Sequence, residues 1–274
     1  PDRLAQAARL AARVRLAIAV DSTLGVGRLA EALRAAGSRA DVFVEIDVGQ
    51  GRCGVAPAAA GALAQQVVSH GLPFAGLHAY HGKAQHLREP AEREAAIRQA
   101  VARTRAAQAA ITAAGIACPL VTGAGTGTFV HEAASGVYGE LQPGSYVFLD
   151  RDYADNVPTP GAPRFEHALF VKSQVTSRGQ AHAVIDAGHK SHALDSGPPR
   201  VWGRALEFGN GGDEHGILRG PAEALPALGE AVWLVPGHCD PTVNLHDHYV
   251  AVRGGLAHGV VEAVWPIEAR GCVR

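Results

Sequence analysis

The sequence predicts an α/β chain, with parallel βα units over the first half and a mostly antiparallel β domain after them. Two observations predict this. From residue 1 to about 150, short β-branched or apolar runs alternate with Ala-rich amphipathic stretches. Beyond 150 the helical periodicity fades, and short apolar runs separated by Gly, Pro and Asp turns replace it. The stretch 153–163 holds three prolines and few apolar residues, so it reads as the linker between units 1–152 and 153–274.

Taken in order, 16–20 reads as a strand, 25–36 as a helix, 42–46 as a strand and 56–70 as a helix. Residues 74–78 are strand-like, and 91–114 carry the strongest helical pattern in the chain. A short strand at 119–122 precedes a Gly-rich loop, and 137–141 and 146–150 complete the strand candidates of this half. Strand, helix, strand at this spacing fits a barrel or an open parallel sheet. In the second half, 167–176, 180–186, 201–208, 231–235 and 248–252 read as strands.

Composition narrows the function. Hydrophobic residues make up 47%, enough for a packed core, and 25 Lys+Arg against 26 Asp+Glu leave a net charge of -1. No basic tract could serve a nucleic acid or an anionic membrane, so a small molecule is the expected partner. The four widely spaced cysteines form no Cys-x-x-Cys pair, and no apolar run approaches the roughly 18 residues of a membrane span, which points to the cytoplasm.

In a parallel βα architecture, functional groups gather after the strands. Asp47-Val-Gly-Gln-Gly-Arg52-Cys-Gly-Val55 follows the second strand, with a single arginine among glycines. His78-Ala-Tyr80-His81-Gly-Lys83-Ala-Gln-His86 places three histidines and a tyrosine within nine residues. Thr122-Gly-Ala-Gly-Thr126-Gly127-Thr128 and Gln142-Pro-Gly144-Ser145-Tyr146 could grip one phosphate between them, or could be tight turns that need glycine. Near the C-terminus, His238-Cys-Asp240 follows an apolar run: either alternation sends both side chains the same way to a hard divalent metal, or the segment is a polar turn with a helix cap.

These motifs, with Asp186-Ala-Gly-His-Lys-Ser-His-Ala-Leu-Asp195 and Pro236-Gly-His-Cys-Asp-Pro-Thr242, resemble the D-threonine aldolase and D-serine dehydratase branch of the alanine racemase-like enzymes that bind pyridoxal phosphate. The resemblance runs along almost the whole chain. It implies a (β/α)8 TIM-type barrel, incomplete here, that carries pyridoxal 5'-phosphate, then a β domain that carries a divalent metal. It places Arg52 at the cofactor's phenolic oxygen, Tyr80 near its ring, and Thr126, Gly127, Thr128, Gly144, Ser145 and Tyr146 around its phosphate. It makes His238 and Asp240 the metal pair, and His86, with His81 as nearest rival, the acid/base near the substrate hydroxyl.

The dehydratase side resembles His-x-Cys, suited to Zn2+, whereas Asp240 suits Mn2+ or Mg2+ and favours cleavage of D-threonine and related D-β-hydroxy amino acids to glycine and an aldehyde. A D-serine dehydratase-like ammonia-lyase, a non-catalytic cofactor-binding homologue and a metal-dependent hydrolase are the alternatives. The resemblance also implies a homodimer. One departure stands out: the family's Schiff-base lysine belongs on the first barrel strand, yet no lysine precedes Lys83, and the others are Lys172 and Lys190. Together with too few strands for a closed barrel and the absence of Met, this leads to the expectation that an N-terminal segment precedes these 274 residues.

Overall fold

A computed structural model describes residues 2–272, which form two compact units. The first runs to Gly144 and adds Asn156–Ala162; the second comprises Ser145–Asp155 and the chain from Pro163 onward.

The first unit orders α1 (Asp2–Ala11), β1 (Ala17–Val20), α2 (Thr23–Ala35), β2 (Asp41–Glu45), α3 (Ala60–Ser69), β3 (Phe74–His78), α4 (Pro90–Ala113), β4 (Val121–Gly123), α5 (Phe129–Ala134) and β5 (Glu140–Leu141). All strand pairs are parallel, and each strand pairs with the next in sequence, β1-β2-β3-β4-β5. A doubly wound sheet reverses its order part-way; an unreversed order is that of a barrel wall.

Local chemistry explains the elements. Ser22 caps α2 by accepting from Gly25 N–H at 3.2 Å, and Val26, Leu29, Ala30 and Leu33 form its buried face. Pro90 opens α4, whose buried residues Arg93, Ile97, Ala100, Thr104, Ala107 and Ile111 alternate three and four apart along one stripe. Arg93 is buried, with its two terminal nitrogens bonded to Leu87 O at 2.7 Å, Arg88 O at 2.8 Å and Val157 O at 2.6 Å and its Nε enclosed without a partner. Its bond to Val157, with Thr159 Oγ1 at 3.2 Å, draws Asn156–Ala162 into the first unit.

The second unit contains α6 (Arg151–Ala154), β6 (Val171–Arg178), β7 (His182–Ile185), β8 (Arg200–Val201), β9 (Glu207–Asn210), β10 (Gly216–Arg219), β11 (Ala231–Val235), α7 (Cys239–Val243), β12 (His248–Arg253) and β13 (Val260–Pro266). Six strands form an antiparallel sheet in the order β8-β11-β6-β7-β10-β9, and β12 with β13 makes a separate hairpin. Alternation on β6 buries Val171, Ser173 and Val175, and the two valines join Ile185, Leu218, Val232 and Leu234 in one core.

The expected elements recur with ends moved by a few residues, with three corrections. Residues 146–150 are not a strand: amides of Phe148 and Leu149 both donate to Ser145 O, winding a 3₁₀ turn, and Asp150 caps α6. Residues 201–208 break into two short strands because Gly203 turns the chain at φ +70°. β10 and β13 were absent from the sequence reading; β10 is only four residues long and starts on glycine, and much of β13 faces solvent. Trp202 and Trp265 are 45% and 58% exposed. No helix among the described residues is long and apolar enough to cross a membrane.

Gly76 on β3 has φ +143°, and a Cβ there would lie 1.9 Å from Leu120 O. Gly76→Ala is therefore expected to cost about 3 kcal/mol or more by forcing β3 from β4. Urea unfolding of the variant checks this, and a midpoint equal to the parent's would contradict it.

Candidate functional site

The carboxyl ends of β2 to β5 carry a continuous row of polar side chains. Glu45 closes β2, and its Oε1 lies 3.5 Å from His78 Nδ1 at the end of β3 and 4.0 Å from Arg52. His78 Nε2 is 3.2 Å from Gln142 Oε1, Gln142 Nε2 donates to Thr122 Oγ1 at 2.9 Å, and Thr122 donates to Glu140 at 2.5 Å. Arg52 lies over the Tyr80 ring with its Cζ 5.6 Å from the centroid, and His78 stacks on the same ring at 6.5 Å. Burial raises the Tyr80 hydroxyl above its ordinary pKa, tempered by Arg52. Sequence reasoning found Arg52 and Tyr80, saw Thr122 only as part of a Gly-rich loop and gave no role to Glu45 or Glu140; the register of the parallel strands brings the last three together.

The Gly-rich loop after β4 is committed inward. Gln85, fully buried, accepts from Gly127 N–H at 2.9 Å and donates to Thr128 Oγ1 at 2.7 Å and to His81 O at 3.1 Å. The Thr128 hydroxyl in turn donates to Glu132 Oε1 at 2.8 Å. The Gly127 amide and the buried Thr128 hydroxyl, both expected near a phosphate, thus have protein partners. Glycine at 127 answers a close approach, since a Cβ would lie 2.3 Å from Gln85 O. Thr126 is half-buried in the same loop.

His81 is half-buried, with its Nδ1 enclosed and unpartnered, and its ring is so close to Gly49 that a Cβ there would lie 2.9 Å from His81 Nε2. Desolvation lowers its pKa; Asp47 opposes that, and Arg103 and Lys83 reinforce it. His86 is exposed at the end of the 3₁₀ turn Gly82–His86.

In the second unit, β11 ends at Val235, and Pro236-Gly237 leads to His238 at the cap of α7. Amides of Arg151 and Asp152 donate to Pro236 O and Gly237 O, both at 3.0 Å, which staples Asp150 beside His238. The Asp150 side chain, with no solvent exposure, accepts from His238 Nδ1 at 2.7 Å, Cys239 N–H at 2.9 Å and Tyr153 N–H at 3.0 Å. Burial alone would raise its carboxyl, but those bonds outweigh burial and hold it below the ordinary value. The Asp150 bond, helped by Cys239, pushes His238 up to about 10 despite desolvation.

Ligand atoms of Asp150, His238 and Cys239 lie within 4.8 Å of one another, the one such metal-compatible group among the described residues. Asp240, the expected partner of His238, is exposed in the first turn of α7 and does not join that group. Sequence reasoning missed Asp150, which is 88 positions from His238. Ser145 lies in the 3₁₀ turn Ser145–Val147, and Tyr146 packs its ring on Phe165 at 5.3 Å. Gly144 would accept a Cβ without contact.

Known proteins resemble this chain in sequence and fold. Residues 3–152 match the model of the alanine racemase N-terminal domain, and residues 168–252 match a putative serine dehydratase domain. A D-threonine aldolase of Arthrobacter sp is 46% identical across 100% of this chain and 72% of its own length. A 3-hydroxy-D-aspartate aldolase of Paracoccus denitrificans strain Pd 1222 is 40% identical across 98% of the chain and 70% of its length. The crystal structure of D-threonine aldolase from Filomicrobium marinum superposes with a TM-score of 0.96 at 46% identity, covering 100% of this chain and 75% of that one. The chain belongs to the D-threonine aldolase family. Its fold is the alanine racemase-like one, a TIM-like parallel sheet with helices plus an antiparallel β domain.

For a D-threonine aldolase family member, the lysines are the discordant feature. Lys83 is exposed on the 3₁₀ turn, Lys172 lies over the Trp233 ring at 5.6 Å, and Lys190 pairs with Glu214 at 2.5 Å. None bonds to the Glu45–His78–Gln142 row among the described residues.

Burial pushes the Glu132 carboxyl from its ordinary 4.5 up to about 7, against the Thr128 bond that favours the charged form. The folded chain then keeps a proton that the unfolded chain releases. This contribution is complete below pH 4.5 and is lost as pH rises through about 7, on the order of 3 kcal/mol. Glu132→Gln is expected to flatten that dependence, which denaturation midpoints at pH 5 and 8 measure; equal slopes in the two proteins would contradict it.

Proposed function

We propose that this protein is a lyase that cleaves D-threonine and related D-β-hydroxy amino acids to glycine and an aldehyde, using pyridoxal 5'-phosphate and a divalent cation. The carrying observation is the imidazole of His238, presented at the end of β11 and fixed by a buried carboxylate, two residues before Asp240. A half-buried imidazole with one nitrogen already bonded and a nearby exposed carboxylate is a donor set suited to Mn2+ or Mg2+, with Zn2+ the softer alternative. His238 and Asp240 would hold that cation, which as a Lewis acid lowers the cost of ionising the substrate's β-hydroxyl.

The row Arg52, Glu45, His78, Gln142 and Thr122, with Tyr80 beneath Arg52, suits a polar aromatic cofactor at the strand ends. When bound there, pyridoxal phosphate supplies the electron sink for the pair released as Cα–Cβ breaks. Arg52 and Tyr80 would orient it; no lysine of this chain joins the row, so covalent attachment is assigned to none of the three. Thr126, Gly144, Ser145 and Tyr146 remain the proposed phosphate neighbourhood, with Gly127 and Thr128 shaping that loop through Gln85.

The β-hydroxyl proton needs a neutral base near pH 7. Of the two histidines considered, His81 has the better environment, because burial holds its imidazole neutral and leaves Nδ1 unpartnered, whereas His86 is exposed. His81→Phe is expected to lower kcat by a factor of about 10²–10⁴ with little change in KM. Steady-state kinetics checks this, and near-parental kcat would hand the role to His86.

Free thiols at Cys53, Cys118, Cys239 and Cys272 suit a cytoplasmic protein, and the same reading includes a homodimer, which sedimentation equilibrium measures. Incubation with D- and L-threonine, with and without added Mn2+, tests the activity. Glycine and acetaldehyde from the D isomer, increased by Mn2+, are expected. Ammonia with 2-oxobutanoate would assign the dehydratase reaction instead, and no product from either isomer would leave a binding homologue.

A further inference from the structure

We propose that Asp150 is the positioning residue of the metal site: it holds His238 with Nδ1–H turned inward, so that Nε2 is the nitrogen offered to a divalent cation. The proposal rests on the reading that His238 holds a cation, and adds which atom does so and why.

Distance alone would make Asp150 a third ligand, since its carboxylate lies within 4.8 Å of the His238 and Cys239 donors. Its hydrogen bonds argue otherwise. Oδ1 takes the Tyr153 amide, and Oδ2 takes both His238 Nδ1 and the Cys239 amide, at 3.0, 2.7 and 2.9 Å. To ligate a cation through Oδ2, Asp150 would have to release the imidazole that is itself the expected ligand. The side chain has no solvent exposure and sits on stapled backbone, so it has no freedom to swing.

The main chain on both sides is fixed as well. Leu149, immediately before Asp150, holds φ +46°, a left-handed conformation that leucine rarely adopts. Its carbonyl accepts from His167 Nδ1, which helps to retain that turn. On the other side, Thr242 Oγ1 donates to His238 O at 2.7 Å and accepts from Ala193 N–H at 3.1 Å. A neutral imidazole with Nδ1–H bound to a carboxylate has its lone pair only on Nε2, so a cation would displace the Nε2 proton and not the inner one; this is the arrangement by which carboxylates orient metal-binding histidines and raise their basicity.

Histidine-¹⁵N-labelled protein loaded with ¹¹³Cd²⁺ tests this by NMR without requiring turnover. The expected result is ¹¹³Cd coupling to Nε2 of His238, with the Nδ1 proton retained. Coupling to Nδ1 would overturn the proposal while leaving the metal reading intact. No coupling to His238 would overturn both, and the threonine product assay on the same preparation reports the activity independently. As a second measurement, Asp150→Asn keeps a side chain able to cap α6. Its Cd²⁺ affinity by titration calorimetry is expected to fall 10–100-fold, with Asp150→Ala weaker still, while metal-free Asp150→Asn keeps near-parental Tm. Unchanged affinity in folded Asp150→Asn would overturn the proposal.

Discussion

The hydrogen bond between Asp150 and His238 carries more than its own strength, because it is made by a carboxylate with no access to water. Taking such a charge out of solvent costs several kcal/mol unless it is paired and its lone pairs are used. Three N–H donors from two segments far apart in sequence meet that need. The same bonds dictate that the turn before α6 and the turn after β11 lie together, since neither segment could leave without stranding the carboxylate. Local folding and imidazole orientation are thus one constraint. A surface Asp–His pair would be screened and mobile, and could not fix a ring in one tautomer.

The first unit solves a related problem with a neutral group. Gln85 sits at the centre of a hydrogen-bond relay from Gly127 through Thr128 to Glu132, and its carbonyl accepts from Asn156 Nδ2 at 2.9 Å. This relay ties the His-rich loop after β3 to the Gly-rich loop after β4. A loop of free amides would suit a phosphate, but free amides also fluctuate. Here the inner amide and hydroxyl hold the loop's shape. The glycines at 125 and 127 are required by proximity, because a Cβ at Gly125 would lie 2.7 Å from Gln85 Oε1 and one at Gly127 would meet the Gln85 backbone. Glu132 is the strained end of the relay, with Oε2 buried and unpartnered, which is why its carboxyl favours the protonated form.

These two networks show where sequence reading succeeds and where it stops. Elements whose signal is local were legible: the three-and-four spacing of Ile97, Ala100, Thr104, Ala107 and Ile111 is visible in the chain, as is the alternation that buries Val42 and Val44 on β2. Motif residues were legible where chemistry clusters in sequence, as at His78-Ala-Tyr-His81 and His238-Cys-Asp240. Asp150 was not, because its partner is 88 positions away and the residues before it, Tyr146-Val-Phe-Leu149, have a strand's composition. What makes that segment a turn is the pair of amides on Ser145 O and the left-handed Leu149, neither of which apolar periodicity records. The link between Glu45 and Thr122 was invisible for a different reason: they become neighbours of one histidine's row only through parallel strand register.

The residue between the two expected ligands extends the argument to metal choice. Cys239 is 4% exposed, its amide is bound to Asp150, and its sulfur lies in the same close group as the imidazole. Asp240 faces solvent in the next position. A soft cation would gain most from the thiolate, whereas a hard one would gain most from the carboxylate and the waters that an exposed position allows. Here the buried thiol lies in one group with the imidazole and the Asp150 carboxylate, and the carboxylate of Asp240 does not.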